Sequence, residues 1–190
     1  MSNTIDFHTH AFPDRIYKRA METLTEHATV KAYLDGSLQS LIKSMDSAGI
    51  SKSVLCNIAT RPGQFDSIIS WCREIQSDRI IPLPSIHPND ELWDRRISEI
   101  AESGFKGIKL HPYYQEFVID AKGMIPIYKR LAREGLFIVI HTGFDIAFER
   151  VRIADAVRVI NVLNEVPDLK LITTHLGGWD DWQEVDRHII

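Results

Sequence analysis

Six short apolar runs, separated by stretches with helical spacing, constrain this chain more than any other feature. They cover residues 4–10, 53–58, 80–86, 106–110, 136–140 and 169–174. Runs this short and this continuously apolar, alternating with helices, belong to a parallel sheet covered on both faces or closed into a barrel. The helical segments carry their own punctuation. Ser37 precedes Leu38, Leu41, Ile42, Met45 and Ala48 at helical spacing and Gly49 follows them, a cap and a stop. Residues 65–76 repeat the pattern with Ile68, Ile69, Cys72 and Ile75. A helix capped by Asn89 or Asp90 runs to about residue 103, and another over 124–134 stops at Gly135. Further helices are expected within 15–34, around 153–165 and from 179 onward. Pro82 and Pro84 weaken regular pairing in the third strand.

The ends of these strands are the second signal. The first run closes on His8-Thr9-His10. Successive strand side chains point to opposite faces, so histidines spaced i, i+2 share a face and converge on one ion. Neutral imidazole is a common metal ligand. His-x-His alone is weak evidence, but four later runs close the same way. His87-Pro88 follows the third, His111-Pro112 the fourth, His141-Thr142-Gly143 the fifth and His175-Leu176-Gly177-Gly178 the sixth. In βα barrels the functional residues occupy these strand ends. Six histidines in one class of position predict a metal site at the mouth of an α/β barrel. His27 and His188 fall in helical stretches, where ordinary surface or packing roles are expected.

Other classes fall away. No Gly-x-Gly-x-x-Gly follows any strand, which disfavours a dinucleotide-binding sheet. A net charge of −4 without a basic run gives no electrostatic reason to expect nucleic acid. No apolar stretch approaches the roughly 18 residues of a membrane span. No charged segment followed by an apolar one opens the chain, so no signal peptide is read and a cytoplasmic location is expected. Cys56 and Cys72, in a strand and a helix, read as reduced core residues. With 44% hydrophobic residues and no internal linker, residues 1–190 read as a single domain with a sizeable core. A complete (β/α)₈ barrel takes about 250 residues. The expected fold class is therefore α/β, a TIM-like barrel with six of its eight βα units, truncated at the C-terminus or closed in an unusual way.

Four motifs carry a family resemblance. Asp6-Phe7-His8-Thr9-His10, Gly107-Ile108-Lys109-Leu110-His111-Pro112, Ile140-His141-Thr142-Gly143, and Pro167-Asp168-Leu169-Lys170-Leu171 with His175-Leu176-Gly177-Gly178 stand in order along essentially the whole chain. In order and spacing they resemble the amidohydrolase-related branch of the amidohydrolase superfamily, which includes metal-dependent hydrolases and aminocarboxymuconate-semialdehyde and resorcylate decarboxylases. The resemblance implies a divalent metal, usually zinc, bound by His8, His10 and His141. It also implies that His175 is a metal-proximal, catalytic histidine that polarises or protonates the substrate. The family's last metal-site residue is an aspartate at the end of strand eight, and no position here matches it. Related barrels often form dimers, so a homodimer is an expectation of the resemblance.

Three protein ligands with an open position are the catalytic zinc arrangement, which lowers the pKa of bound water to about 7. The expected activity is hydrolysis of a small-molecule amide, ester or lactone, with His175 stabilising developing oxyanion charge. The same first ligands suit loss of CO₂ from a small carboxylic acid. A non-catalytic metal-binding or scaffold subunit is the reading from a different class. A deoxyribonuclease of the TatD type also starts with His-x-His, but such enzymes carry a glutamate where this chain has Lys109-Leu110-His111. His111, Lys109, His87 and Arg61 are the candidates for substrate contact. Three have a plainer alternative: His111 and His87 precede prolines and shape loops, and Arg61 is loop surface. For Lys109 the alternative is a carboxylated bridging ligand, as in two-metal relatives, which its place two residues before His111 in a one-metal-like motif disfavours. Phe12, Tyr113 and Trp179 lie in loops on the same rim.

Overall fold

The computed structural model describes residues 4–27 and 31–190, apart from the side chain of His27. Among them are six strands: β1 (Ile5–Thr9), β2 (Lys52–Cys56), β3 (Ile80–Leu83), β4 (Gly107–Leu110), β5 (Phe137–Ile140) and β6 (Leu171–Thr173). Seven helices accompany them: α1 (Tyr17–His27), α2 (Leu38–Ala48), α3 (Phe65–Ile75), α4 (Trp93–Glu102), α5 (Ile125–Arg133), α6 (Ala156–Glu165) and α7 (Trp182–His188). The alternation expected from the sequence is present in every unit. Within 15–34 the structure shows α1 alone, with residues 28–30 outside the described set.

All strand pairs are parallel, in the order β1-β2-β3 and β4-β5-β6. The two ladders separate where the third strand carries Pro82 and Pro84, which have no N–H to give to β4. Two bonds still span the seam, the Lys109 N–H donating to the Pro84 carbonyl at 2.9 Å and the Ser85 hydroxyl donating to the Lys109 carbonyl at 2.8 Å. The six strands then curl. Lys109 on β4 reaches His8 on β1 at 3.2 Å, and the rings of Phe7 on β1 and Phe137 on β5 lie 6.1 Å apart. Neighbouring strands of a flat sheet sit about 4.8 Å apart, so contacts between β1 and strands three and four positions away require a curved wall. A register shift between Asp6 and Thr9 lets both Phe7 and His8 turn inward.

Packing follows the period of two. Val54, Cys56, Leu83 and Val139 fill the inside of the wall. Ile108, Leu110, Ile138 and Ile140 face outward into the main core, with Ile97 and Ile100 of α4, Tyr128 and Leu131 of α5, and Val159 and Val162 of α6. Ser37 caps α2 as expected, its hydroxyl accepting from the Ser40 N–H at 3.1 Å, and Gly49 ends the helix at φ 67°. The expected cap of α4 is different. Asp90 accepts from the Leu92 N–H at 2.9 Å and makes a turn ahead of the helix, whose cap position is Leu92 with no side-chain bond. Cys56 and Cys72 are free and buried. Among the described residues, no helix is long and apolar enough to cross a membrane.

Candidate metal centre

Each strand delivers its C-terminal residues to one end of the wall. His8 and His10 converge as the i, i+2 spacing requires, with their Nε2 atoms 3.1 Å apart. His141, one residue beyond β5, and His175, two beyond β6, form a second pair, Nδ1 to Nε2 at 3.1 Å. The pairs meet through His8 and His175, whose ring centres are 5.2 Å apart. Lys109 Nζ closes the group from β4, 3.2 Å from His8 Nε2. His175 is aimed by strained backbone. It and Leu176 sit at φ 58° and 55°, the left-handed region that residues with a Cβ enter at a cost.

Hydrogen bonds fix which nitrogens are free. A carbonyl only accepts, so His10 carries its proton on Nδ1, which donates to the Cys56 carbonyl at 2.9 Å. His141 likewise donates from Nε2 to the Phe144 carbonyl at 3.0 Å. The lone pairs left over are His10 Nε2 and His141 Nδ1, and both face the cluster. Tying the far nitrogen to a carbonyl is how proteins orient metal-bound imidazoles.

The electrostatics agree. Burial, then the Lys109 ammonium and neighbouring histidines, pull His8 down to about 2. Burial and His175 lower His141 to about 3, the Phe144 carbonyl opposing. Surrounding protein atoms and Lys109 lower His10, whose ring also reaches solvent, to about 4, and His175 falls to about 4 for the same two reasons. Burial brings Lys109 itself down to about 8. Four neutral imidazoles crowded together, with the His10 Nε2 and His141 Nδ1 lone pairs turned inward, are a donor set that suits a divalent cation. The residues present fit a metal.

His111 and one residue that the sequence reading missed lie on the far side of His141. The His111 ring stacks on His141 at 4.2 Å, and Asp145 Oδ2 is 3.5 Å from His111 Nε2 and 3.8 Å from His141 Nε2. The ligand atoms of these three residues lie within 4.8 Å of one another. Among the described residues, His8, His10 and His141 do not reach that spacing. Burial raises Asp145 above the usual carboxylate value.

The remaining sequence candidates are scattered. Tyr113 donates to the Gly143 and Val151 carbonyls, and Trp179 lies 5.6 Å from His175, ring centre to ring centre. His87 is buried after β3, its Nδ1 accepting from the Asn89 N–H at 3.1 Å. Arg61 is exposed in the loop after β2, its backbone N–H held by Gln64. Phe12 bonds by its backbone N–H to the Gly36 carbonyl. No contact brings His87, Arg61 or Phe12 to the cluster.

The amidohydrolase family model matches residues 5–189. No curated protein matches the sequence. Solved structures do match in fold. An uncharacterised TIM-barrel protein from Bordetella bronchiseptica superposes with a TM-score of 0.70 at 18% identity, over 98% of this chain and 73% of that one. 5-Carboxyvanillate decarboxylase from Novosphingobium aromaticivorans, with bound manganese, gives 0.63 at 18%, over 92% and 66%. A probable 2-pyrone-4,6-dicarboxylic acid hydrolase from Acinetobacter baumannii gives 0.58 at 12%, over 93% and 59%. The chain spans less than two thirds of the length of the last two.

Proposed function

The chain belongs to the amidohydrolase family, and from that premise we propose that it is a metal-dependent hydrolase of small-molecule amides, esters or lactones. The observation that carries this reading is the meeting of His8/His10 with His141/His175, all four held neutral, at the C-terminal end of the strands. His8, His10 and His141 would hold the metal, with zinc the expected ion. A divalent ion there supplies Lewis acidity, polarising a carbonyl and making water more acidic. His10 and His141 keep their lone pairs inward through the Cys56 and Phe144 carbonyls. With its pKa near 4, His175 is neutral at pH 7. It acts by hydrogen bonding to developing oxyanion charge or by accepting a proton, rather than as an imidazolium acid. Lys109 lends positive charge beside His8, and His111 backs His141 through its ring stack.

One observation favours a second reading. Lys109, fully buried on β4, places its Nζ 3.2 Å from His8 Nε2, whereas Asp145 lies behind His141. A centre of neutral nitrogens beside a buried lysine suits an anionic carboxylate, the substrate that a non-oxidative decarboxylase holds. A structural neighbour is such an enzyme.

The test strips the protein with a chelator, reloads zinc or manganese, and assays ester and lactone hydrolysis against CO₂ release from aromatic and enoic acids. The hydrolase reading expects metal-restored hydrolysis, with His175→Asn lowering turnover roughly 10²- to 10⁴-fold while metal is retained. CO₂ release without hydrolysis transfers the site to the decarboxylase. Metal binding with no turnover under any metal leaves a binding or scaffold subunit.

A further inference from the structure

The proposed metal centre has a supporting residue that the motifs do not contain. We infer that Asp145, working with His111 and adding to the hold of the Phe144 carbonyl, is a positioning residue that keeps His141 Nδ1 turned toward the His8–His10–His175 cluster. The inference rests on the metal-centre reading above.

An imidazole can present either nitrogen, and the partner of the opposite nitrogen decides which. On the outer side of His141 stand two acceptors, the Phe144 carbonyl at 3.0 Å and Asp145 Oδ2 at 3.8 Å. Turning the ring over would place C–H groups against both. It would also remove the lone pair that now meets His175 Nε2 at 3.1 Å. Asp145 is itself anchored. Its Oδ1 accepts from the Ala147 N–H at 2.9 Å, which directs Oδ2 at the two imidazoles. His111 completes the support, with its ring stacked on His141 at an interplanar angle of 21° and its Nε2 3.5 Å from the same oxygen.

The support reaches back into the wall. The His111 N–H donates to Gln115 Oε1 at 2.7 Å, and Gln115 Nε2 donates to the carbonyls of Ala59 and Ile86 at 3.0 and 2.7 Å. A fully buried glutamine therefore ties the loops after β2, β3 and β4 to the residue that packs on His141. His111 and His141 are 5% and 4% exposed, and the Asp145 side chain 10%, so water offers little substitute for the carboxylate. At 3.5 and 3.8 Å its contribution is electrostatic rather than a short hydrogen bond. That attraction grows when His141 gains positive character by binding a cation, as in carboxylate–histidine–metal arrangements generally.

The test has two readouts besides activity. In metal-free protein, side-chain ¹⁵N NMR of His141 reports which nitrogen bears the proton. The inference expects Nε2–H in the wild type and a mixture in Asp145→Ala. In titrations with cobalt or zinc against a competing chelator, Asp145→Ala and Asp145→Asn should bind the same number of equivalents roughly 10- to 100-fold more weakly, with an altered cobalt spectrum. Asp145→Glu should recover most of the affinity. Thermal unfolding of each variant separates loss of fold from loss of positioning. An unchanged tautomer with unchanged affinity overturns the inference. So does a wild type that binds two equivalents where Asp145→Asn binds one, since His111, His141 and Asp145 would then hold a cation themselves. A wild type that binds no metal, with the tautomer change still present, defeats the metal-centre reading and leaves the positioning of His141 standing.

Discussion

A lysine with no exposed surface and no acid as an ion-pair partner among the described residues is costly to keep charged. Lys109 and the four histidines around it share one consequence, because each is pushed toward its neutral form in the fold. The sign for the histidines follows from linkage. In the unfolded chain they take up protons as pH falls through about 6.5, whereas in the fold His10 and His175 resist to about 4, His141 to about 3 and His8 to about 2. Protons therefore bind the unfolded state preferentially, and stability present above 6.5 is lost as pH drops below it. Metal-free protein should melt at progressively lower temperature between pH 7 and 5, where most carboxylates are still ionised. A His8→Gln, His175→Asn double variant should show a shallower slope in the same melts. A wild-type midpoint that stays flat over this range would mean the rings are charged inside the fold.

At the scale of elements, the histidine pairs depend on two strand ends being pressed together. Gly143 lies at φ 85° and bridges to Trp179, whose N–H donates to the Thr142 carbonyl at 2.9 Å while its own carbonyl accepts from Phe144 at 2.8 Å. A Cβ at Gly143 would collide with the backbone of Gly178 and Trp179. Gly143→Ala should cost about 2–4 kcal/mol from the collision and the left-handed backbone together. It should also weaken metal binding, because the β5 and β6 ends carry His141 and His175. Chelator competition and thermal melts on one sample check both effects. A variant as stable as the wild type would show that the loops part without penalty.

The strands were legible in the sequence because Val, Ile and Leu runs need no neighbour to declare themselves, and the histidines were legible because a barrel puts strand ends on one face. His87 ends a strand too, but Asn89 and burial retain it in its own loop. Asp145 was not legible: it sits in a loop with no period, and its meaning comes from a ring stack between residues thirty apart. Asp90 looked like a helix cap because Asp is an equally good turn residue.

For the whole molecule, the flank between β1 and β6 governs association. Among the described residues β1 pairs only with β2 and β6 only with β5, so each presents a free edge. Ile5 and Phe7 of β1 are 48% and 41% exposed, and all three residues of β6 are only partly covered. Matching barrels are longer, this chain spanning 73%, 66% and 59% of three of them. Free parallel edges beside exposed aromatic and aliphatic side chains invite pairing with another chain. The 190-residue chain should therefore bind an apolar dye and associate as its concentration rises, as sedimentation would show. Replacing Ile5 with Thr and Phe7 with Ser removes apolar surface from the flank while leaving His8 and His10 in place. That variant should bind less dye and stay monomeric to higher concentration, with metal affinity within a few-fold of the parent. If the parent stays monomeric and binds no dye, β1 and β6 close on each other in solution, and the His8–His175 approach at 5.2 Å is where that closure begins.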